Sequence, residues 1–209
     1  MSAICFCLAT SLSFGVLGIA EAGKPPIGAS IADFELTDIE GNAHRLSDWQ
    51  GSPLVTIVFL GAECPVAELY ATPIAELADR SKPRGVAFIG IVSNGRDSPP
   101  ALARFVAAHG IRFPLLQDVG GVVAARLGAT RTPEVIVLDD RRTIRYRGRI
   151  DDQYAIGSRR AEVRRHDLVV ALDELLRGRP VSRPETEAVG CPIERPAPAP
   201  MSSGVTYCR

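Results

Sequence analysis

Cys64 stands in the run Gly61-Ala62-Glu63-Cys64-Pro65-Val66-Ala67, directly after the apolar residues Leu54 to Leu60. A thiol placed where a strand ends and a helix begins is chemically active. The free N–H groups and the dipole of the helix N-terminus stabilise the thiolate, and the thiolate is the attacking species. Pro65 fits the first helical position, whose N–H has no intrahelical partner. Glu63 works against this, because a neighbouring negative charge disfavours a second one. The chemistry on offer is nucleophilic attack by sulfur, and hence thiol–disulfide exchange. The alternative is a buried cysteine that packs as a small hydrophobe. That chemistry requires a sulfur reachable from solvent.

Four further cysteines bear on this. Cys5 and Cys7 lie in residues 1–22, where the stretch from Ile4 to Ile19 carries no charge and Ala20-Glu21-Ala22 reads as a small-x-small cleavage site. That segment is expected to be an export signal, although no Lys or Arg precedes its apolar part. An exported chain, periplasmic or extracellular, follows, with no stable membrane span once the signal is removed. Cys64, Cys191 and Cys208 then remain, an odd number that leaves one thiol free or intermolecular. Spacings of 127 and 17 residues are not those of metal ligands. An oxidising compartment permits a disulfide. Cys191 is a candidate to resolve a disulfide at Cys64, a partner for Cys208, or a free thiol. Roughly 13 residues of chain from Gly178 could span about 40 Å, enough for Cys191 to swing back to Cys64.

The elements that must position Cys64 are legible along the chain. Residues 33–46 read as a β-hairpin turning at Gly41, and residues 54–60 as a strand buried on both faces. A helix over 65–80 carries Pro73 mid-way, which predicts a kink. A strand over 86–92, a helix opened by Pro99 or Pro100 and stopped by Gly110, a short strand at 114–116 and a short helix at 122–127 follow. Residues 135–138 and 143–147 form an antiparallel pair, and Leu168, Leu172, Leu175 and Leu176 mark a last helix. Alternating strands and helices ending in a hairpin argue an α/β fold with a mixed sheet. Residues 23–30 read as a linker, 31–178 as the domain, and 179–209 as a Pro-rich arm without regular structure.

With those elements placed, residues 27–178 resemble thioredoxin-fold redoxins of the peroxiredoxin (AhpC/TSA-type) and thiol–disulfide oxidoreductase group. The resemblance is carried by Phe34-Glu35-Leu36 with Gly41, the stretch from Phe59 to Pro65, Thr132-Pro133, residues 85–91, Phe113-Pro114-Leu115 with Asp118, and Gly148. A narrower likeness, to exported proteins fused to c-type cytochromes, rests on residues 150–154 and on Ala188-Val189-Gly190-Cys191. The resemblance implies an α/β thioredoxin-like fold, a mixed central sheet flanked by helices with an N-terminal β-hairpin extension. It implies that Cys64 is the nucleophile, that Pro133 is cis and faces the thiol, and that the Thr132 backbone pairs with an extended substrate. Pro65, Thr132 and Pro133 would then line the substrate groove. It also implies a second cysteine at position 67, where Ala67 stands instead.

The peroxidase pattern of that group, Pro-x-x-x-Thr/Ser-x-x-Cys, fails at Cys64, where Ile57 and Gly61 occupy its first and fifth positions. Peroxide reduction therefore remains an alternative without its supporting groups. A second alternative is a redox-inactive module that docks a cytochrome-type partner. The chain has no Cys-x-x-Cys-His, so covalent haem attachment is not expected. His44, His109 and His166 are too scattered for a metal site, and no bound cofactor is needed. The expected partners are protein thiols and small disulfides or peroxides. The balance of 24 basic and 24 acidic residues gives no bias toward nucleic acid. Arg141, Arg142, Arg145, Arg147 and Arg149 read as a solvated edge that blocks strand pairing, with docking of an anionic partner as the alternative.

Overall fold

The computed structural model describes residues 24–193. The expected export signal, Cys5, Cys7 and Cys208 lie outside the described residues. The described residues form eleven strands, four α-helices and two single-turn 3-10 helices. The opening hairpin is β1 (Glu35–Asp38) and β2 (Ala43–Arg45), followed by a single-turn helix at Leu46–Trp49. Then come β3 (Leu54–Leu60), α1 (Pro65–Ser81), β4 (Val86–Val92), α2 (Pro99–His109), β5 (Leu115–Gln117) and α3 (Val122–Leu127). Next are β6 (Arg131–Thr132), β7 (Glu134–Asp139), β8 (Ile144–Gly148), a small hairpin of β9 (Tyr154–Ala155) and β10 (Ser158–Arg159), α4 (Asp167–Leu176) and β11 (Cys191–Pro192). Seven strands form one mixed sheet in the order β2-β1-β5-β4-β3-β7-β8. This is the thioredoxin-like α/β fold with an N-terminal hairpin that the resemblance implies.

β3 occupies the middle of this sheet, parallel to β4 and antiparallel to β7. Its seven residues are all buried because both faces are covered. Leu54, Val58 and Leu60 meet α1, α2 and α4 through Ala71, Ile74, Leu102, Phe105, Leu168 and Leu172. Val55, Ile57 and Phe59 point to the other face and meet α3 through Val123, Ala124 and Leu127. The period of two along β3 thus fixes its register, since a slip of one residue would exchange the two cores. That rigidity is what delivers residue 64 to a defined place at the end of the strand. α1 runs through Pro73 without interruption, so the proline perturbs the helix without ending it.

Residues 24–30 of the segment read as linker and residues 184–193 of the segment read as arm lie against the domain. Gly28 N donates to Ile144 O and Ile31 N to Arg142 O, which ties the N-terminal stretch to β8. Arg147 N donates to Pro184 O, and Thr186 N returns a bond to Arg147 O. One residue of the arginine face of β8 also departs from the solvated edge expected from alternation. Arg147 is 1% exposed and donates to Pro25 O at 2.8 Å and Leu127 O at 2.9 Å. Sequence alternation missed this because the covering chain comes from distant residues. Arg149 pairs with Asp167 at 2.7 Å, while Arg145 reaches Asp139 more loosely.

Arg147→Met is expected to keep the side-chain volume but strand both carbonyls in a dry site. Each unpaired buried acceptor costs about 1–3 kcal/mol, so urea unfolding should show a loss of about 3 kcal/mol. A change below about 1 kcal/mol would mean that water already serves those carbonyls.

Candidate active site

β3 ends at Leu60, and Cys64 N turns back to donate to Gly61 O at 3.1 Å. Cys64 has extended backbone angles and is the N-cap of α1, with Pro65 at the first helical position as expected. Its sulfur accepts from Ala67 N at 3.5 Å, so the sulfur does the capping usually done by Ser or Asp. A charge on that sulfur faces the positive end of a 17-residue helix. Ala67 is fully buried in the core, so a second thiol is replaced there by packing.

The Thr132–Pro133 peptide bond is cis. The loop that holds it is organised by Glu134, which is buried and accepts from Thr130 N at 2.8 Å and Arg131 N at 3.2 Å. This brings Thr132 O to 2.9 Å from Cys64 Sγ, which donates to it as a thiol. The two motifs singled out in the sequence therefore meet.

A third segment meets them. β11 pairs antiparallel with β6, setting Cys191 opposite Thr132 and Pro192 opposite Arg131. Ile193 N donates to Thr130 O, and Arg131 Nη1 holds Gly190 O at 2.9 Å. Ile193 is buried in the same apolar cluster as Leu127 and Ala129. Gly190 is required by close approach: a Cβ there would collide with the Thr132 carbonyl, and its φ is +156°. Gly148 plays the same part upstream, lying against Thr186 with a φ of +139°.

Residues 184–193 form a strap laid across the edge that the resemblance reserves for an extended substrate. The strap corrects one expectation. Cys64 is 2% exposed, so its sulfur is not open to solvent, and what covers it includes the thiol of Cys191. Both cysteines are free thiols.

The electrostatics of the pair are asymmetric. Burial pushes the Cys64 thiol up, but hydrogen bonds from Cys191, Thr132 and Ala67 N–H outweigh it, and its pKa lies below the ordinary value. Burial pushes the Cys191 thiol up, and the bond and charge of Cys64 push it further, to about 11; Arg131 opposes this weakly. One negative charge shared by the pair therefore rests on Cys64, and the proton stays on Cys191. Glu63 is not among the main influences on Cys64, so the repulsion expected from the sequence is minor. The Thr132 carbonyl favours the opposite state, because only the protonated thiol can donate to it.

Sequence reasoning missed Gly190 and Arg131 as the residues that seat the strap. The only signal was a glycine directly before a cysteine. Asp151, read as a turn residue, accepts from Tyr70 Oη and Gln153 N and acts structurally. Among the described residues no three side chains are grouped to hold a metal, and no helix is long and apolar enough to cross a membrane. A cleft of about 600 Å³ lined by Gly51, Lys82, Gly85 and Phe113 lies at the start of β3 and β4, the opposite end from Cys64.

Residues 27–147, more than half of the chain, match the AhpC/TSA family. The chain belongs to the AhpC/TSA family. Among similar proteins, the thiol-disulfide oxidoreductase ResA of Bacillus thuringiensis subsp. konkukian is 29% identical over 116 residues. That match covers 56% of this chain and 65% of the relative, just under two thirds of its length. A solved hypothetical protein from Sinorhizobium meliloti 1021 has a TM-score of 0.76 and 30% identity, over 84% of this chain and 98% of that one. An uncharacterized conserved protein from Geobacillus kaustophilus has a TM-score of 0.74 and 31% identity, over 83% and 94%. The AhpC/TSA match ends at residue 147, so the strap that carries Cys191 lies beyond it. Within this AhpC/TSA domain Gly61 supplies no hydroxyl three residues before Cys64.

Proposed function

We propose that this AhpC/TSA-family chain is an exported thiol–disulfide oxidoreductase whose redox couple is Cys64 and Cys191. The observation that carries the reading is the placement of the Cys191 thiol against the Cys64 sulfur by a β-pair. The likeness to ResA, named a thiol-disulfide oxidoreductase, supports it. In the reducing direction the Cys64 thiolate attacks one sulfur of a substrate disulfide. The substrate S–S bond breaks, a Cys64–substrate disulfide forms, and the first substrate thiolate leaves and takes a proton. Cys191 then loses its proton and attacks the Cys64 sulfur. The mixed disulfide breaks, the second substrate thiolate leaves, and Cys64–Cys191 forms. Two electrons pass from the cysteine pair to the substrate, and an external dithiol restores the pair.

The Thr132 carbonyl beside the attacking sulfur supports a substrate groove lined by Pro65, Thr132 and Pro133. A peroxide would need hydroxyl support that Gly61 does not give, so family membership alone favours that second reading. The test is mild oxidation followed by proteolysis and mass spectrometry. A peptide pair linked through Cys64 and Cys191, absent in Cys64→Ser, is expected, together with reduction of a small disulfide. Absence of the linked pair in the oxidised full-length chain would remove Cys191 from the mechanism. Consumption of hydrogen peroxide faster than of disulfide would favour the peroxidase reading.

A further inference from the structure

Between β8 and α4 the chain makes a long detour, residues 149–166, which the exchange scheme above does not use. Connections in compact domains usually take about 4–6 residues, and much longer ones are commonly binding loops. This one leaves the sheet at the end where Cys64 sits. Phe59 in β3 faces Glu134 at the start of β7, and Val135 in β7 faces Gly148 at the end of β8. Residue 149 therefore starts at the thiol end of the sheet.

The detour is a firm platform. Tyr70, on the second turn of α1, donates from its hydroxyl to Asp151, and its ring meets the Tyr154 ring edge-on at 5.6 Å. Asp152 Oδ1 accepts from Arg164 N at 2.8 Å and Arg165 N at 3.0 Å, which closes the loop on itself. Within it β9 and β10 pair, with Ile156 and Gly157 at the turn. These bonds turn the acids inward. Asp151 is buried against Tyr70, and Asp167, buried at the start of α4, holds Arg149 and Arg165.

The outward side of the platform is cationic. Arg159 and Arg164 are exposed, with no carboxylate at ion-pair distance among the described residues. The Arg159 guanidinium lies 5.5 Å over the Tyr154 ring, which places it without neutralising it. Arg160 bonds Asp152 through Nε, and its two terminal nitrogens make no bond among the described residues. Glu162 is the one exposed carboxylate of the detour. Ile156 at the turn is 69% exposed.

The thiol end is also wide. The exposed large apolar side chains are Leu69, Val119, Val122 and Ile156, all on segments at this end. Leu69 is on the second turn of α1, and Val119 and Val122 follow β5, which runs parallel to β4 and β3. β5 and β8 are four strands apart in the sheet, about 19 Å at the usual strand spacing. That width exceeds a small disulfide and suits a polypeptide.

We propose that residues 149–166 dock a protein substrate, with Arg159, Arg160 and Arg164 gripping an acidic segment beside the substrate's disulfide. This rests on the exchange reading and names its substrate class. The guanidiniums pair with carboxylates through charge-assisted hydrogen bonds, and Ile156 adds apolar contact. Such charges steer encounter, so they act on KM more than on the chemical step. An anionic membrane surface would call for a larger apolar face than one isoleucine.

Docking is measured first without chemistry. A labelled, cysteine-free peptide rich in Glu and its Gln counterpart are titrated by anisotropy, at low salt, into the full-length chain and into an Arg159→Gln, Arg164→Gln double variant. The Glu peptide should bind the native chain and bind the variant about 10-fold more weakly, with added salt narrowing the gap. Turnover of a Glu-flanked peptide disulfide should then show a KM about 10-fold higher in the variant, while a small neutral disulfide is turned over at the native rate. Equal binding of the Glu and Gln peptides, or equal binding of the Glu peptide by native chain and variant, would overturn the proposal. Binding to phosphatidylglycerol vesicles without binding to the Glu peptide would assign the arginines to a membrane and overturn it too. Arginine-dependent binding of the Glu peptide by a chain that turns over neither disulfide would support the platform and overturn the exchange reading alone.

Discussion

Replacing Cys191 with serine is expected to leave Cys64 able to attack a disulfide but unable to finish the cycle. The mixed disulfide between Cys64 and substrate should accumulate and be visible as a mass adduct. In the intact protein the second thiol is held against the first by β11, with Arg131 gripping Gly190 O and Ile193 buried beyond it. Well-oriented intramolecular groups act at effective concentrations far above any free thiol in solution. Turnover with a small disulfide should therefore drop by at least about 100-fold in Cys191→Ser. Cys64→Ser should drop to background, with no adduct. If Cys191→Ser turns over at the native rate, an external thiol resolves Cys64 and the strap serves another purpose.

The second large effect comes from Gly190→Ala. The new methyl would overlap the Thr132 carbonyl, and neither backbone can yield without breaking the β6–β11 pair. The strap should detach locally while the sheet remains, because β3, β4 and β7 make no use of it. A bulky maleimide, excluded while Cys64 is 2% exposed, should then label Cys64 about 10–100 times faster, with opening no longer limiting. Equal labelling of Gly190→Ala and the native chain would show that the strap opens freely and guards nothing. Releasing the strap should also slow closure of the internal disulfide, so one substitution should speed labelling and slow turnover.

The parts of this site that the sequence displayed are those with a local signature. Leu54 to Leu60 could be read as a buried strand because six apolar residues around a single β-branched Thr56 leave few alternatives. Cys64 and Pro65 announced a helix start, and Thr132-Pro133 stood directly before a strand. The strap had no such signature. Its pairing with β6 is two residues long, joins positions some 60 apart in sequence, and sits among prolines that suppress any periodic pattern. Composition alone marked it as an unstructured arm, and three fates of Cys191 stayed open. The burial of Arg147 was hidden for a related reason. Alternating arginines on β8 look solvated until the carbonyls of Pro25 and Leu127, far away in the chain, are seen to cover one of them.

Position 67 is filled by an alanine packed in the core, and the second sulfur is presented from outside the helix. With Cys191 as the resolving thiol, the oxidising strength of the couple is set by a detachable surface strand and not by helix geometry. Every 1.4 kcal/mol by which strap seating favours the disulfide over the dithiol makes the couple about 30 mV more reducing. Exchanges at Thr186 or Ile193, which anchor that strand, could retune the voltage while α1 and the sheet stay as they are.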